Sequence, residues 1–290
     1  MKIQTFSVVV GGSKCNAKCP YCVSKMTGND GLCKVGDINF RNFEKACQFA
    51  KMSGVSTVLL TGKGEPLLYP ELITQYLQVL YKYEFPFIEL QTNGIQLPAI
   101  PKKELVRWYN LGLTTISLSC VHWNDERNRE IFAKEYGSLK NYVKMLHDFG
   151  FSIRVACVMI NNYIDTIGMT QAFAEKCKEW GVEQFTVRPA TVVENDNSKV
   201  ARWTKENTVK DSCYNSVVKF FEEGAKNSGY PVHLLLELAH GAKVYDYNGQ
   251  NISINTCLTE SPDPDDIRQL IFFPDGHLRY SWTKKGAIII

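Results

Sequence analysis

Three cysteines lie within one short segment near the start of the chain, Gly11-Gly-Ser-Lys-Cys15-Asn-Ala-Lys-Cys19-Pro-Tyr-Cys22. Because three and two residues separate them, one loop can curl around a single metal centre and offer it all three thiolates. Thiolates are the ligands of iron–sulfur clusters, and three local thiolates leave one iron of a four-iron cluster without a protein ligand. Such an open iron can bind a cofactor or a substrate.

Two other interpretations of these cysteines are a zinc site and a set of buried thiols. A structural zinc site normally takes four ligands in paired spacings, and no second Cys or His pair follows. In a reducing compartment, clustered cysteines are more often metal ligands or catalytic groups than disulfides. The scattered cysteines are predicted to be small buried hydrophobic residues: Cys33, Cys47, Cys120, Cys157, Cys177, Cys213 and Cys257.

The elements that position this loop alternate between strands and helices. Strands are predicted at Ile3–Val10, Val55–Leu60, Phe87–Gln91, Thr115–Cys120, Ile153–Ile160 and Gln184–Arg188, with helical patterns between them. This alternation predicts a parallel sheet with right-handed crossovers. The sequence therefore predicts an α/β fold, a partial (β/α)6 TIM-like barrel over residues 1–190. Residues 191–290 are expected to form a C-terminal extension that caps the barrel mouth.

The cysteine motif, with an aromatic residue directly before its last cysteine, closely resembles the signature of the radical S-adenosylmethionine (SAM) superfamily. A second segment, Thr61-Gly62-Lys63-Gly64-Glu65-Pro66, follows the second strand and looks like the family's Gly-Gly-Glu-Pro turn. It departs from that pattern because Lys63 separates the two glycines. The third strand closes on Thr92-Asn93-Gly94, as in many relatives. The resemblance covers roughly residues 3–190.

The resemblance implies that Cys15, Cys19 and Cys22 hold a 4Fe–4S cluster whose open iron binds SAM. Reductive cleavage of SAM then gives a 5′-deoxyadenosyl radical, which abstracts hydrogen from a substrate. The resemblance also implies that Glu65 lies near the methionine amino group. The full set of implied SAM-binding residues is Tyr21, Gly62, Gly64, Glu65, Pro66, Thr92, Asn93, Ser117, Ser119, Arg154 and Val158.

Simpler roles stand beside several of these assignments. Thr92 and Asn93 can serve turn chemistry alone. Ser117 and Ser119 can be polar groups that are satisfied inside the barrel. Arg154 can pair with a carboxylate of the barrel instead of the SAM carboxylate.

Two residues at strand ends are candidates for substrate contact and catalysis. Arg188 ends the sixth strand, where its guanidinium could clamp a phosphate or carboxylate, although an ion pair that supports the loop is the alternative. His122 follows the fourth strand at the same mouth, with a plain hydrogen-bonding role as its alternative. Weaker candidates lie in the extension: Glu237, His240, Tyr280 and Trp282.

The carboxyl-terminal stretch Phe273–Trp282 is similar to the end of molybdenum-cofactor cyclases. Those proteins carry a Cys near the position of Ser281 and a Cys pair before it, whereas Cys257 is the only cysteine in this region. One thiolate cannot hold a second cluster, and the cyclases' terminal Gly-Gly tail is absent. The chain therefore resembles the cyclase-like branch without its auxiliary-cluster cysteines, which disfavours GTP cyclisation.

Three functions fit the sequence. The leading one is a small-molecule enzyme acting on a nucleotide or another anionic substrate, with an electron donor such as flavodoxin or ferredoxin. The second is a peptide-modifying or glycyl-radical-activating enzyme, and the third is a non-catalytic metal-binding module. A net charge of +3 gives no strong sign of a nucleic-acid partner. No apolar run reaches the ~18 residues of a membrane span, and no signal peptide is recognised, so a cytoplasmic protein is expected.

Overall fold

The computed structural model describes residues 2–33, 37–227, 229–238, 241–255 and 266–290. Two residues singled out in the sequence, His240 and Cys257, lie outside these ranges. None of the described helices is long and apolar enough to cross a membrane.

The first six strands form the centre of one sheet and pair in parallel in chain order. They agree with the predicted strands to within a few residues, and the predicted α/β fold is confirmed. Their bounds are β1 Lys2–Val9, β2 Thr57–Thr61, β3 Phe87–Thr92, β4 Thr115–Cys120, β5 Ser152–Met159 and β6 Gln184–Pro189.

Nine helices are described, and most lie between successive strands. Their bounds are α1 Val23–Met26, α2 Phe40–Met52, α3 Pro70–Tyr81, α4 Lys102–Asn110, α5 Asp125–Ile131, α6 Leu139–His147, α7 Ile167–Trp180, α8 Lys199–Asn207 and α9 Asp211–Gly224. Side-chain caps begin several of them. For example, the Thr166 hydroxyl accepts from Met169 N at the start of α7, which satisfies an otherwise unpaired helix donor.

The carboxyl-terminal third adds strands to both edges of the same sheet. These are β7 Val232–Glu237, β8 Lys243–Tyr247, β9 Gln250–Ile254, β10 Asp266–Phe272 and β11 Leu278–Arg279. β9 pairs in parallel with β6, and β10 pairs in parallel with β1. The 11-stranded sheet runs in the order β11-β10-β1-β2-β3-β4-β5-β6-β9-β8-β7, and within the described residues its two edges do not meet. The barrel is therefore partial, as predicted, but wider than six strands.

The two faces of the sheet differ because successive strand residues point to opposite sides. In β4, Ile116, Leu118 and Cys120 join the main hydrophobic core beneath the helices. Ser117 and Ser119 therefore face the inside of the barrel. The same alternation puts Arg154 of β5 on the inner face, in register with Ser117.

Candidate functional site

The cysteine loop begins where β1 ends. It therefore lies at the carboxyl-terminal ends of the parallel strands, where ligands bind in parallel α/β folds. Gly11 has a φ of +70°, and a Cβ there would lie 2.3 Å from the ring of Tyr69, so only glycine fits this turn. The loop ends at Cys22, directly before α1. Cys15 is exposed, whereas Cys19 and Cys22 are half-buried.

The electrostatics of the loop show that the three thiols are neighbours. Burial, followed by the nearby Cys22 and Cys15, raises the pKa of Cys19 to about 12. Burial also raises the pKa of Cys15, and Glu65 and Cys22 act in the same direction. Thiols in such surroundings become thiolates when they bind a metal centre, because the metal's positive charge offsets their repulsion.

The chemistry of these donors fits an iron–sulfur cluster. Among the described residues, no group of three or more His, Cys, Asp or Glu side chains is placed to hold one metal ion. A four-iron cluster does not require such a group, because each of its thiolate ligands binds a different iron. Cys15, Cys19 and Cys22 would hold three of those irons.

The Gly64 turn after β2 presses directly against the cysteine loop. A Cβ on Gly64 would lie 2.0 Å from the carbonyl oxygen of Lys14 and 2.9 Å from that of Gly12. Glu65 N donates to the same Lys14 oxygen at 3.0 Å. Gly62 is crowded as well, with a Cβ position 3.0 Å from Gly64 O, and Pro66 then opens a short 3₁₀ helix. The two predicted motifs are therefore packed backbone to backbone.

Glu65 joins the end of β2 to the end of β3. Its side chain is 2% exposed, and Oε1 accepts from Thr92 Oγ1 at 2.5 Å and from Leu67 N at 2.9 Å. Oε2 accepts from Asn93 N at 2.9 Å. Burial raises the pKa of Glu65, and these hydrogen bonds oppose the rise. A contact between Glu65 and SAM stays a prediction.

Asn93 extends this network to the cluster ligands. Its Nδ2 donates to Asn16 Oδ1 at 2.8 Å and lies 3.8 Å from Cys15 Sγ. Asn16 Nδ2 is buried and has no hydrogen-bond partner in the described part of the chain. An unpaired buried donor beside Cys15 fits a site that receives a polar cofactor. Sequence reasoning missed Asn16, although it is the only amide side chain between the cysteines.

Two predicted residues, Ser117 and Arg154, share one row with Gln91 across the inner face of the sheet. Gln91 of β3 is in register with Ser117, which is in register with Arg154. Arg154 donates to Gln184 Oε1 at 2.9 Å and forms an ion pair of 3.2 Å with the buried Glu89. This is the barrel carboxylate that the sequence left as the alternative partner of Arg154. Ser119 lies two residues further along β4, and SAM contacts for both serines and Arg154 stay predictions.

Arg188 and Val158 are register partners at the ends of β6 and β5, and Tyr21 lies beside them. Val158 belongs to a small apolar cluster against which Cys19, Tyr21 and Trp203 pack. The Tyr21 hydroxyl is buried without a hydrogen-bond partner in the described residues. Burial first, and then the Cys19, Cys120 and Cys157 thiols, raise the pKa of Tyr21 well above its usual value, whereas Arg188 opposes the rise.

His122 lies in the connection from β4 to α5, and its ring makes a hydrogen bond within it. Its Nδ1 accepts from Asn124 N at 2.9 Å, and its backbone is bound at both ends by the buried Asn128 side chain. Burial and the neighbouring Arg127 lower the pKa of His122, whereas Glu130 opposes the drop, and this direction favours the neutral ring that can accept the bond. The geometry matches the plain hydrogen-bonding role, and a substrate contact stays a prediction.

The weaker candidates of the extension are scattered. Glu237 lies on the exposed edge strand β7, and Tyr280 is 47% exposed. Trp282 is half-buried, and its ring centroid lies 5.7 Å from that of Phe273.

A comparison of the sequence with models of protein families agrees with these motifs and their contacts. A model of the radical SAM superfamily matches residues 9–176. The chain belongs to the radical SAM superfamily. The predicted family and its cofactors, a 4Fe–4S cluster and S-adenosylmethionine, are thereby confirmed, whereas the cyclase-like branch stays a prediction.

Solved structures of proteins with bound S-adenosylmethionine share the fold. SuiB from Streptococcus suis, bound to S-adenosylmethionine, has a TM-score of 0.60 and 15% identity over 96% of this chain. The protein anSMEcpe, with bound AdoMet, has a TM-score of 0.61 and 14% identity over 96% of this chain and 74% of its own. This radical SAM chain spans 60% of the SuiB chain. Among curated proteins the sequence has no significant match.

Proposed function

We propose that this chain is a radical SAM enzyme that cleaves SAM reductively and abstracts hydrogen from an anionic small molecule. The observation that carries the proposal is the docking of the cysteine loop on the ends of β2 and β3, through Gly64, Glu65 and Asn93. When bound, a reduced cluster supplies the electron that cleaves SAM to methionine and a 5′-deoxyadenosyl radical. That electron comes from an external donor of the flavodoxin or ferredoxin class.

The chain's own residues hold and orient these groups. Cys15, Cys19 and Cys22 supply the thiolates, and the backbone contact of Gly64 with Lys14 fixes the loop that carries them. Glu65 and Asn93 keep the ends of β2 and β3 at a constant spacing from Cys15. Asn16 offers next to them a donor that no described residue satisfies. A polar cofactor is therefore received by a preorganised site, which lowers the cost of binding.

The position and charge of Arg188 are the evidence for an anionic substrate. It lies on the inner face of β6, and it has no ion-pair partner in the described part of the chain. Its positive charge opposes the rise in the pKa of the buried Tyr21 hydroxyl, and Tyr21 packs against the same apolar cluster as Cys19. A guanidinium can bind a carboxylate or phosphate through two parallel hydrogen bonds. An anion held by Arg188 would thus lie close to the cluster loop, within reach of a radical formed there.

A peptide substrate is the second candidate, because one edge strand has no further strand beside it in the described part of the chain and exposes apolar side chains. β7 is the edge strand, and Leu234, Leu235 and Leu236 are 49%, 52% and 47% exposed. An extended peptide can add to such an edge by main-chain hydrogen bonds. In a second structure, the relative SuiB is bound to the precursor peptide SuiA. A peptide with an acidic residue would also satisfy Arg188.

The deciding experiment is an assay of SAM cleavage after anaerobic reconstitution of the cluster and reduction with dithionite. We expect 5′-deoxyadenosine from the wild type and none from Cys19→Ala. The matched control is Cys213→Ala, which removes a half-buried thiol on α9 and should leave cleavage intact. A fully reconstituted, reducible cluster that yields no 5′-deoxyadenosine, even with candidate anions and peptides, would favour the metal-binding module instead.

A further inference from the structure

Lys63 is a buried lysine in the turn that docks on the cysteine loop. Its 6% exposure is unusual for a lysine, and it stands between the two crowded glycines of that turn. Nζ donates to Thr27 Oγ1 and, at 3.3 Å, to the Thr27 carbonyl oxygen. Thr27 closes α1, the short helix that begins directly after Cys22. Lys63 thus contacts the far end of the segment that carries the third cluster ligand.

The carboxyl-terminal segment, residues 275–285, covers Lys63 on the side away from Thr27. The ammonium lies 5.8 Å from the centre of the Trp282 ring. This segment is attached to the chain just after α1, because Asp275 N donates to Gly31 O at 3.1 Å and Lys285 pairs with Asp30 at 3.2 Å. Trp282 therefore limits the access of water to the Lys63 ammonium.

The partners of Lys63 leave its charge uncompensated. Both oxygens that it contacts belong to Thr27 and are neutral, and none of the ion pairs found among the described residues includes Lys63. Burial lowers the pKa of Lys63 to about 8, while Cys22 and Asp30 oppose the drop and Arg279 adds to it. A buried charge without a counter-ion is costly. An anionic centre on the Cys22 side would supply the missing counter-charge.

We propose that Lys63 is a positioning residue that holds a positive charge beside the loop that binds the cluster and so raises the reduction potential of the cluster. The inference rests on the proposed function, since the cluster belongs to it. Reduction adds one electron from the external donor, so the cluster gains one negative charge. A fixed cation nearby stabilises this more negative state, and the effect is larger where water is excluded. Trp282 preserves the effect by shielding the ammonium.

The test is a redox titration of the reconstituted full-length protein. The electron paramagnetic resonance signal of the reduced cluster monitors the titration and gives its midpoint potential. We expect Lys63→Met to shift the midpoint potential to more negative values, and Lys63→Arg to keep it close to the wild type. Lys63→Gln is a second neutral variant, since its amide can still donate to Thr27. Trp282→Ala should shift the potential in the same direction as Lys63→Met, but less.

Lys25 provides the matched comparison. It is an exposed lysine of α1 whose Nζ lies 3.4 Å from the Cys19 carbonyl oxygen. An exposed charge is screened by salt, whereas a buried one is screened much less. The shift caused by Lys25→Met should therefore be small and vanish at high salt, whereas that of Lys63→Met should persist.

The inference is wrong if both neutral variants have the wild-type potential, or if Lys63→Arg shifts it as far as Lys63→Met. Either result would mean that the charge of Lys63 does not act on the cluster. Failure of the proposed function looks different, because the wild type itself would then give no 5′-deoxyadenosine. A wild type that cleaves SAM, together with unshifted variants, overturns only the role of Lys63.

Discussion

At the scale of single residues, the Glu65 carboxylate carries the densest set of contacts in the site. It accepts hydrogen bonds from Thr92, Asn93 and Leu67, and two of those donors are backbone N–H groups. A backbone N–H cannot reverse its role, so both carboxylate oxygens must remain acceptors. Glu65 therefore fixes the relative position of two strand ends, whatever it contributes to SAM binding.

Glu65→Gln should lower the free energy of unfolding by ~1–3 kcal/mol, because the new NH₂ group must face a donor in either orientation. Urea unfolding of the protein under anaerobic conditions measures the change. The control is Glu206→Gln, which alters an exposed carboxylate near the end of α8 and should have little effect. A variant of Glu65 with wild-type stability would show that these hydrogen bonds add nothing to the fold.

Arg188 and Arg154 both lie on the inner face, yet their substitutions should differ. Arg188→Ala removes a guanidinium that has no ion-pair partner among the described residues, so we expect normal thermal stability, normal uncoupled SAM cleavage and weaker binding of anionic substrates. Arg154→Ala leaves the buried Glu89 without its ion-pair partner, so we expect a lower melting temperature. Calorimetry and the 5′-deoxyadenosine assay separate the two. Loss of uncoupled SAM cleavage in Arg188→Ala would contradict its role as a substrate anchor.

At the scale of elements, the contact between the Gly64 turn and the cysteine loop sets the geometry of the site. A Cβ at Gly64 would lie 2.0 Å from Lys14 O, so Gly64→Ala must push the two segments apart by about 1 Å. Misplacements of ~1 Å near reacting groups cost on the order of 100-fold in rate. We therefore expect Gly64→Ala to reduce 5′-deoxyadenosine formation strongly.

The control for Gly64→Ala is Gly168→Ala in α7. Gly168 is exposed, and no atom of the described residues crowds its Cβ position within 4 Å, so alanine fits there and favours the helix. Iron and sulfide content after reconstitution shows whether the loop still accepts the cluster. Equal rates in both variants would mean that the turn moves without disturbing the loop.

The order of β1 to β6 could be predicted because each strand has a local pattern of β-branched and apolar residues. The motif loops could be placed because they follow β1 and β2 directly. The pairing of β9 with β6 and of β10 with β1 could not be predicted. These partners are distant in the chain, and a local residue pattern does not encode which strands pair. The pair of Arg154 with Glu89 was likewise left open, because only the sheet register brings them together.

At the scale of the whole molecule, residues 191–290 supply part of the sheet and of its core. β9 covers the edge of β6, and β10 covers the edge of β1. Buried core residues come from this part of the chain as well: Val217, Phe221, Ile252, Leu270 and Phe272. The extension and the six-strand barrel thus share one hydrophobic core, which is the mark of one cooperative unit. Whether the extension also caps the barrel mouth stays a prediction.

A fragment of residues 1–190 should therefore not fold by itself. Its two outer strands would lose their partners, and the core would lose the side chains of β9, β10 and α9, so two open edges and an apolar surface would favour aggregation. Urea unfolding followed by circular dichroism should give a cooperative transition for the full chain and none for the fragment. Adding residues 191–290 as a separate chain should restore part of it. The opposite result is a fragment that unfolds cooperatively by itself, with a slope of unfolding free energy against urea concentration that matches its size. It would identify the barrel and the extension as independent domains.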